Sequence, residues 1–124
     1  MTTEFRRRLS GAAGSALARR LVEQALRTWR LTHRLDDALI VTTELVENVF
    51  KHTSDGGQLK VRLRPGALVI EVADDSPELP KTRVPSREGL GGRGIRMVEA
   101  IAARWGAKPT AEGKIVWAEL DTDR

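Results

Sequence analysis

The sequence contains no cysteine and only two histidines, His33 and His52. Without cysteine the chain can form no disulfide, and two histidines without thiolates cannot assemble the usual zinc sites. Any bound metal is therefore expected to be a hard cation that is held by oxygen atoms.

Long hydrophobic runs are also missing. No apolar run approaches the roughly 20 residues that are needed to span a bilayer, and the charged start, Met1–Leu9, is not followed by the apolar core of a signal peptide. These absences predict a cytoplasmic protein that does not associate with membranes.

Aromatic residues are scarce, at 4% of the chain with no tyrosine, whereas the net charge is +4. The densest basic clusters are Arg6–Arg8 and Arg19–Arg20. Surplus positive charge suits an acidic protein partner or a polyphosphate ligand as well as a nucleic acid. Because aromatic stacking platforms are lacking, direct nucleic-acid binding is not the favoured interpretation. A small DNA-binding protein that uses Arg6–Arg8 with the first helix stays as an alternative, which requires salt-sensitive binding.

The length of 124 residues, with 40% hydrophobic and 31% charged residues, fits one globular domain. Residues 1–11 are interpreted as a basic lead-in, and residues 12–124 as a single domain. One functional site is therefore expected.

Two amphipathic helices are predicted in the first half of the chain. Apolar residues from Leu17 to Trp29 recur at three- and four-residue spacing, which is typical of a helix with one buried face. Asp36 and Asp37 then place negative charge where a helix N-terminus favours it, and this second helix is predicted to continue to about His52.

The hydrophobic period changes to two after these helices. Leu59–Leu63 and Leu68–Asp74 alternate apolar and polar residues on either side of Pro65 and Gly66, which predicts an antiparallel hairpin.

The last third of the chain begins with a stretch that has no sustained period, from Asp74 to Gly94, which we interpret as a candidate lid. A third helix is predicted from about Ile95, followed by two paired strands, Trp105–Pro109 and Lys114–Leu120. Because helices and strands come in blocks without a βαβ repeat, the fold class is predicted to be α+β. Its mostly antiparallel sheet is expected to carry helices on one face.

The second helix contains a group of polar residues that could carry chemistry. At about 100° per residue, Glu44, Asn48 and Lys51 fall within a sector of roughly 60°. Such a face suits a magnesium nucleotide: Asn48 offers a neutral oxygen to the cation, Lys51 a charge for phosphate, and Glu44 a general base. The alternative is an ordinary solvent face of an amphipathic helix. His52 could contact nucleotide or only the last carbonyl groups of the helix.

Two further signals follow along the chain. Asp74 comes directly after an apolar strand, so its carboxylate is expected at the rim of the core, where the exocyclic amine of adenine is one suitable donor. Gly89–Gly94 lies directly before a helix, an arrangement that directs free N–H groups towards an anion such as a phosphate chain. The alternatives are turn capping by Asp74 and Ser76, and a glycine hinge that binds no ligand.

The order of these three signals resembles that of the GHKL family of ATPases, which includes gyrase, histidine kinases, a heat-shock chaperone and anti-sigma-factor serine kinases. The segment Glu44–Asn48 with Lys51 and His52 looks like the N box of that family, Asp74–Ser76 like its first glycine box, and Gly92–Ile95 like its second. The compact length and the closing Gly113–Leu120 segment most resemble the stand-alone anti-sigma-factor kinases that are common in actinobacteria.

The resemblance implies a Bergerat-type two-layer α/β sandwich that binds ATP and Mg²⁺. It implies that Asn48 binds magnesium, Glu44 is the general base and Asp74 reads adenine. The other residues that it implies for nucleotide binding are Lys51, His52, Ser76, Gly92, Arg93, Gly94 and Ile95.

The resemblance also implies partners: an anti-sigma-factor antagonist that is phosphorylated on serine, a sigma factor that is bound, and a possible homodimer. A non-catalytic binding module of the same fold, in which nucleotide only regulates protein association, is the second interpretation. The sequence departs from the family pattern at Ser76, where many relatives have glycine, and at Ile115, which replaces a threonine. Loss of the threonine hydroxyl is expected to weaken adenine binding by roughly 1 kcal/mol.

Overall fold

The structure is a computed structural model that describes residues 2–10, 13–50, 57–74, 92–111 and 113–123, with only the backbone for Phe50 and residues 92–95. The described residues form three α-helices, five β-strands and one 3-10 turn at Thr32–Arg34. The strands are β1 (Glu4–Leu9), β2 (Gly57–Arg64), β3 (Ala67–Asp74), β4 (Arg104–Pro109) and β5 (Lys114–Asp121), and the helices are α1 (Gly14–Thr28), α2 (Leu35–Phe50) and α3 (Gly92–Ile101).

The five strands form one antiparallel sheet in the order β1-β2-β3-β5-β4. β2 and β3 form a hairpin whose turn contains Gly66, which has a φ of 75°. That backbone conformation favours glycine because a side chain would crowd the following carbonyl group. β3 is the central strand of the sheet, with β2 on one side and β5 on the other.

The helices cover one face of the sheet. α1 packs against α2, β1 and β2, whereas α2 contacts α3, β3 and β5. The side chains that face the helices from the sheet are apolar and buried: Leu59, Val61, Leu68, Ile70, Val72, Val116, Ala118 and Leu120. The core therefore lies between one sheet face and the helices, and the predicted α+β class with its mostly antiparallel sheet is confirmed.

The predicted elements correspond closely to those observed. The first two helices are confirmed as α1 and α2, although α2 is described only to Phe50. The predicted hairpin is confirmed as β2 and β3, and the closing strands as β4 and β5, which are joined by a turn in which Thr110 and Gly113 bond each other. The predicted lid, residues 75–91, lies outside the described residues.

Strand β1 was not predicted, since the sequence suggested only a basic lead-in there. Leu9 is fully buried in the core, and the indole Nε1 of Trp29 donates a hydrogen bond to the carbonyl oxygen of Thr2 at 2.7 Å. Phe5 packs on Trp29 with 5.4 Å between the ring centroids. The consecutive arginines obscured the alternation of apolar and polar residues along β1. Arg7 lies on the helix-facing side at the edge of the sheet, where an apolar residue would be expected.

Within the described part of the chain, none of the helices has the length and apolar character that crossing a membrane requires.

Candidate functional site

Helix α2 positions two of the predicted site residues. It begins with Asp36 and Asp37 in its first turn, where they complement the helix dipole, and Arg34 holds Asp37 through an ion pair of 2.9 Å. Apolar residues of α2, such as Val41 and Leu45, then pack into the core. This packing fixes the rotation of the helix about its axis and with it the direction of every polar side chain along the helix.

Asn48 lies on the buried side of α2 with an exposure of 8%. Glu44, one turn earlier, is half-buried, and Glu47 is exposed. Asn48 therefore does not lie on a solvent face of the helix, as the alternative interpretation required. Asn48 is directed into the protein and Glu44 lies at the boundary of the buried region.

The side-chain oxygen of Asn48 is chemically distinctive. Oδ1 is buried and accepts no hydrogen bond from any of the described residues. A buried carbonyl oxygen without a donor costs roughly 1–3 kcal/mol, so a cation or a donor at this place would stabilise the protein. A neutral amide oxygen is a good ligand for a hard cation such as Mg²⁺.

Asp74 occupies the end of the central strand β3. Its position continues the helix-facing row of β3, after Ile70 and Val72, and it is only 2% exposed. Its register partners are Gly57 at the start of β2 and Lys114 at the start of β5. The carboxylate is thus held at the end of the sheet, on the same side as α2, and its deep burial favours donors of hydrogen bonds as neighbours.

Gly57 is required at this end of the sheet by a close backbone approach. A Cβ atom at this position would lie 2.1 Å from the carbonyl oxygen of Ala73. Every other residue type would force β2 and β3 apart beside Asp74. The glycine therefore helps to fix the position of the carboxylate.

The end of the glycine-rich segment is placed differently from the prediction, and residues 89–91 lie outside the described residues. The sequence predicted a loop that ends at Gly94, but α3 begins at Gly92, so the backbone of Gly92, Arg93 and Gly94 forms the first helical turn. The N–H groups of a first turn have no partner within their own helix, and they lie at the positive end of the helix dipole. The backbone that was expected to bind phosphate is therefore a helix N-terminus, which suits an anion equally well.

Other predicted site residues cannot be placed. Lys51, His52 and Ser76 lie outside the described residues, and the side chains of Arg93 and Ile95 are likewise outside them. Their contribution to nucleotide binding stays a prediction.

The expectation that Ile115 weakens adenine binding required this residue to lie at the nucleotide site, and the structure places it elsewhere. Ile115 pairs with Ala73 and with Lys108, on the sheet face that the helices leave open. A hydroxyl group at this position would point away from the side on which Asp74 lies. The β5 residue in register with Asp74 is Lys114. Ile115 therefore gives no reason to expect weak adenine binding.

The side chains at the site that could bind a metal suit a magnesium nucleotide better than a free metal ion. The described residues contain no group of three or more His, Cys, Asp or Glu side chains that could hold a metal by themselves. Magnesium commonly keeps several waters and takes its other oxygens from one or two side chains and from the phosphates of its nucleotide. Asn48 on α2 meets the protein part of that requirement.

Comparison with known proteins identifies the family. The family model described as histidine kinase-, DNA gyrase B- and HSP90-like ATPase matches residues 33–124, which is more than half of the chain. A comparison with curated proteins found no match. The matched residues include α2, β3 and α3, the three elements that carry the candidate site. The chain therefore belongs to the histidine kinase-, DNA gyrase B- and HSP90-like ATPase family, and it is an ATP-binding domain of the Bergerat fold.

Proposed function

We propose that this protein is an ATP-dependent serine/threonine kinase that phosphorylates an anti-sigma-factor antagonist and binds a sigma factor in the cytoplasm. The proposal rests on membership of the ATPase family and on the resemblance of this short domain to stand-alone anti-sigma-factor kinases. A domain of 124 residues is large enough to present ATP to a protein substrate that supplies its own hydroxyl group.

The observation that carries the proposal is the buried Asn48 oxygen, for which the described residues provide no donor. In the proposed role, Asn48 Oδ1 would be a ligand of Mg²⁺. The bound cation would neutralise charge on the phosphates of ATP, which would supply the phosphoryl group. A structural asparagine in a core would normally have its oxygen satisfied by the protein, so its burial without a donor favours a ligand.

Glu44 is the proposed general base. It lies one helical turn before Asn48, about 6 Å along the axis of α2, and its half-buried position leaves it accessible to a partner. Its carboxylate accepts the proton of the attacking serine hydroxyl as the new P–O bond forms and the bond to the leaving ADP oxygen breaks. A positioned base of this kind typically contributes a factor of about 10²–10⁴.

The remaining groups bind the nucleotide. In this proposal Asp74 accepts a hydrogen bond from the exocyclic amine of adenine, and the N–H groups of Gly92 and Gly94 at the start of α3 donate to the phosphates. Lys51, His52, Ser76, Arg93 and Ile95 are proposed to complete the site as the family resemblance implies. A homodimer is proposed on the same ground.

The alternative is a non-catalytic module in which nucleotide regulates association with a partner. This alternative was suggested by Ile115, which was expected to weaken adenine binding. Because Ile115 lies on the open face of the sheet, it no longer supports the alternative. The kinase is therefore the function that the site supports best, and the alternative is retained as an outcome of the test.

The test is phosphoryl transfer from γ-labelled ATP with Mg²⁺ to a candidate anti-sigma-factor antagonist. We expect transfer by the unaltered protein. Glu44→Gln should reduce it by a factor of about 10²–10⁴ without loss of ATP binding. Glu47→Gln is the matched control, because Glu47 is an exposed glutamate on the same helix, and it should keep full activity.

Two outcomes would contradict parts of this proposal. If Glu44→Gln transfers phosphate as fast as the unaltered protein, Glu44 is not the base. If the protein binds ATP and associates with the antagonist but transfers no phosphate, the non-catalytic module is correct.

A further inference from the structure

The sheet face opposite the helices has a composition that the nucleotide site does not explain. Side chains on this face surround an open depression of about 550 Å³. Strand alternation places Val69, Ile115 and Trp117 in its centre, on the adjacent strands β3 and β5. Val69 is only 3% exposed, so Ile115 and Trp117 provide the accessible apolar surface. The depression thus has an apolar floor, although the helices of the described chain all pack against the other face.

Trp117 lies across the neighbouring strand β4. A Cβ atom at Gly106, its register partner, would come within 2.8–3.1 Å of the indole ring. The glycine therefore allows the ring to lie against the backbone of β4. Trp117 is half-buried, so part of this large apolar surface stays available to a partner.

Two rows of cations flank this apolar floor. On one side β2 contributes Lys60, Arg62 and Arg64, and on the other side β4 contributes Arg104 and Lys108. Three inter-strand spacings separate the rows, a distance of about 14 Å. An α-helix with its side chains is about 10–12 Å across, so one helix fits between the two rows.

Ion pairs within this face leave a surplus of positive charge. Arg62 binds Glu71 at 2.7 Å, and Glu119 receives both Arg104, at 2.8 Å, and Arg64, at 3.5 Å. At the edge of the sheet Arg6 pairs with Glu4, and the hydrogen bond from Arg6 holds the pKa of the Glu4 carboxyl below its ordinary value. The internal carboxylates are thus already engaged with arginines.

Lys60 and Lys108 differ from these arginines, because neither forms an ion pair with a residue of the described segments. Lys60 does attract Glu4 at longer range, since its charge, after the hydrogen bond from Arg6, helps to lower the pKa of that carboxyl. Lys60 on β2 lies in line with Glu71 and Trp117, and Lys108 on β4 pairs with Ile115. Because neither ammonium group is held in an ion pair, both can meet carboxylates that a partner would bring.

We infer that the open face of the sheet is a docking surface for an acidic amphipathic helix of a partner protein. Its apolar residues would cover the exposed parts of Ile115 and Trp117, and its carboxylates would meet Lys60 and Lys108. An apolar centre within a charged rim is the usual anatomy of a protein interface, and tryptophan is among the residues that most often dominate its energy.

Two other occupants fit less well. A second copy of this chain would bring the same excess of positive charge against itself, which electrostatic repulsion opposes. A single-stranded nucleic acid would place phosphates near Glu71 and Glu119, and it would find one aromatic ring where such proteins usually offer several.

The test uses a defined probe, a fluorescein-labelled 18-residue peptide that presents leucines on one helical face and glutamates on the flanking faces. At physiological salt, we expect saturable binding of this peptide to the full chain and an increase in its helicity. Lys60→Glu/Lys108→Glu should weaken binding at least about tenfold, and Trp117→Ala by about tenfold. A peptide with lysine in place of glutamate should not bind.

The matched control is Arg19→Glu/Arg20→Glu. It makes the same change of charge at exposed positions on α1, and it should leave peptide affinity within about twofold because salt screens charges beyond roughly 8 Å. ATP binding, measured in parallel, should be unchanged in all of these variants. This readout verifies folding and separates failure of the docking surface from failure of the proposed kinase.

Three results would overturn the inference. The first is peptide binding that the sheet-face variants do not weaken more than the control does. The second is preferential binding of a 15-nucleotide oligo-dT, which would identify a nucleic-acid surface. The third is a dimer in sedimentation velocity that Lys60→Glu/Lys108→Glu dissociates, which would identify a second copy as the occupant.

Discussion

The two faces of the sheet use the same strands for different purposes. On the helix-covered face, most alternate residues of β2, β3 and β5 are apolar and buried, and Asp74 ends the row on β3. On the open face, the intervening residues are mostly charged and form ion pairs around a small apolar floor. One face therefore provides most of the buried core and the candidate nucleotide site, and the other provides a surface that is expected to change at little cost to folding.

The largest difference between the two faces is expected in the loss of stability when an isoleucine is replaced by alanine. Ile70 on β3 is fully buried under the helices, whereas Ile115 on the adjacent strand β5 lies half-buried on the open face. Ile70→Ala should lower the free energy of unfolding by about 2–5 kcal/mol because it leaves a cavity in a close-packed core. Ile115→Ala should cost less than half of that, as measured by urea denaturation. Equal losses would show that the open face contributes to the core as strongly as the covered face.

The next prediction compares two glycines of the β2–β3 hairpin at opposite ends of the sheet. Gly57→Ala places a methyl group against the carbonyl oxygen of Ala73 and should cost about 3 kcal/mol. Gly66→Ala meets no atom within 4 Å but has a φ of 75°, so it should cost only about 1–2 kcal/mol of strain.

The same pair tests the link between sheet geometry and the site. Gly57→Ala should also weaken ATP binding, because Gly57 is the register partner of Asp74, whereas Gly66→Ala should not. Calorimetric titration with ATP and Mg²⁺ measures the ATP affinity of both variants. An unchanged affinity in a folded Gly57→Ala protein would show that the exact pairing of β2 and β3 does not position Asp74.

The smallest effect is expected for the ion pairs of the open face. A double-mutant cycle on Arg62 and Glu71 should give a coupling energy of about 0.5–1 kcal/mol that decreases with added salt. The exposed pair Arg27–Glu23 on α1, at 3.7 Å, is the control and should give less than about 0.5 kcal/mol. Coupling of several kcal/mol at Arg62–Glu71 would mean that the open face is a rigid structural network instead of an adaptable surface.

The sequence predicted the elements that have a strong hydrophobic period. The helices α1 and α2 and the hairpins β2–β3 and β4–β5 all show such a period, and their existence and pairing were predicted correctly. β1 was missed because three consecutive arginines obscure the alternation of Phe5 and Leu9. Its strand character depends on pairing with β2, which is distant in the sequence.

The candidate site was predictable in its residue types but less so in its orientation. Helical spacing grouped Asn48 with Glu44 as one polar face, yet tertiary packing buries Asn48 and leaves Glu44 half-exposed. Strand parity, which could have been counted from Asp74 and the predicted pairing, would have assigned Ile115 to the open face. Motif matching alone does not show on which face of the sheet a residue lies, because it aligns sequence positions and does not include the pairing of the strands.

The open face itself could not be recognised from sequence. Lys60, Arg62, Arg104 and Lys108 come from two distant segments, and only the strand order β2-β3-β5-β4 places them on either side of Trp117. The amino-acid composition gives the net positive charge of the chain but does not show where on the surface that charge lies.

The central claim is that the end of α2 and the end of β3 together bind ATP with Mg²⁺, and calorimetric titration tests it most directly. We expect the unaltered protein to bind, Asn48→Ala and Asp74→Asn to lose at least about tenfold in affinity, and the exposed control Asp36→Asn to bind normally. Omission of Mg²⁺ should lower the ATP affinity of the unaltered protein by a larger factor than it lowers that of the Asn48→Ala variant. The variant has already lost the side chain that is proposed to bind the cation. If the unaltered protein does not bind millimolar nucleotide, or if both site variants bind as tightly as it does, the assignment of the site is wrong.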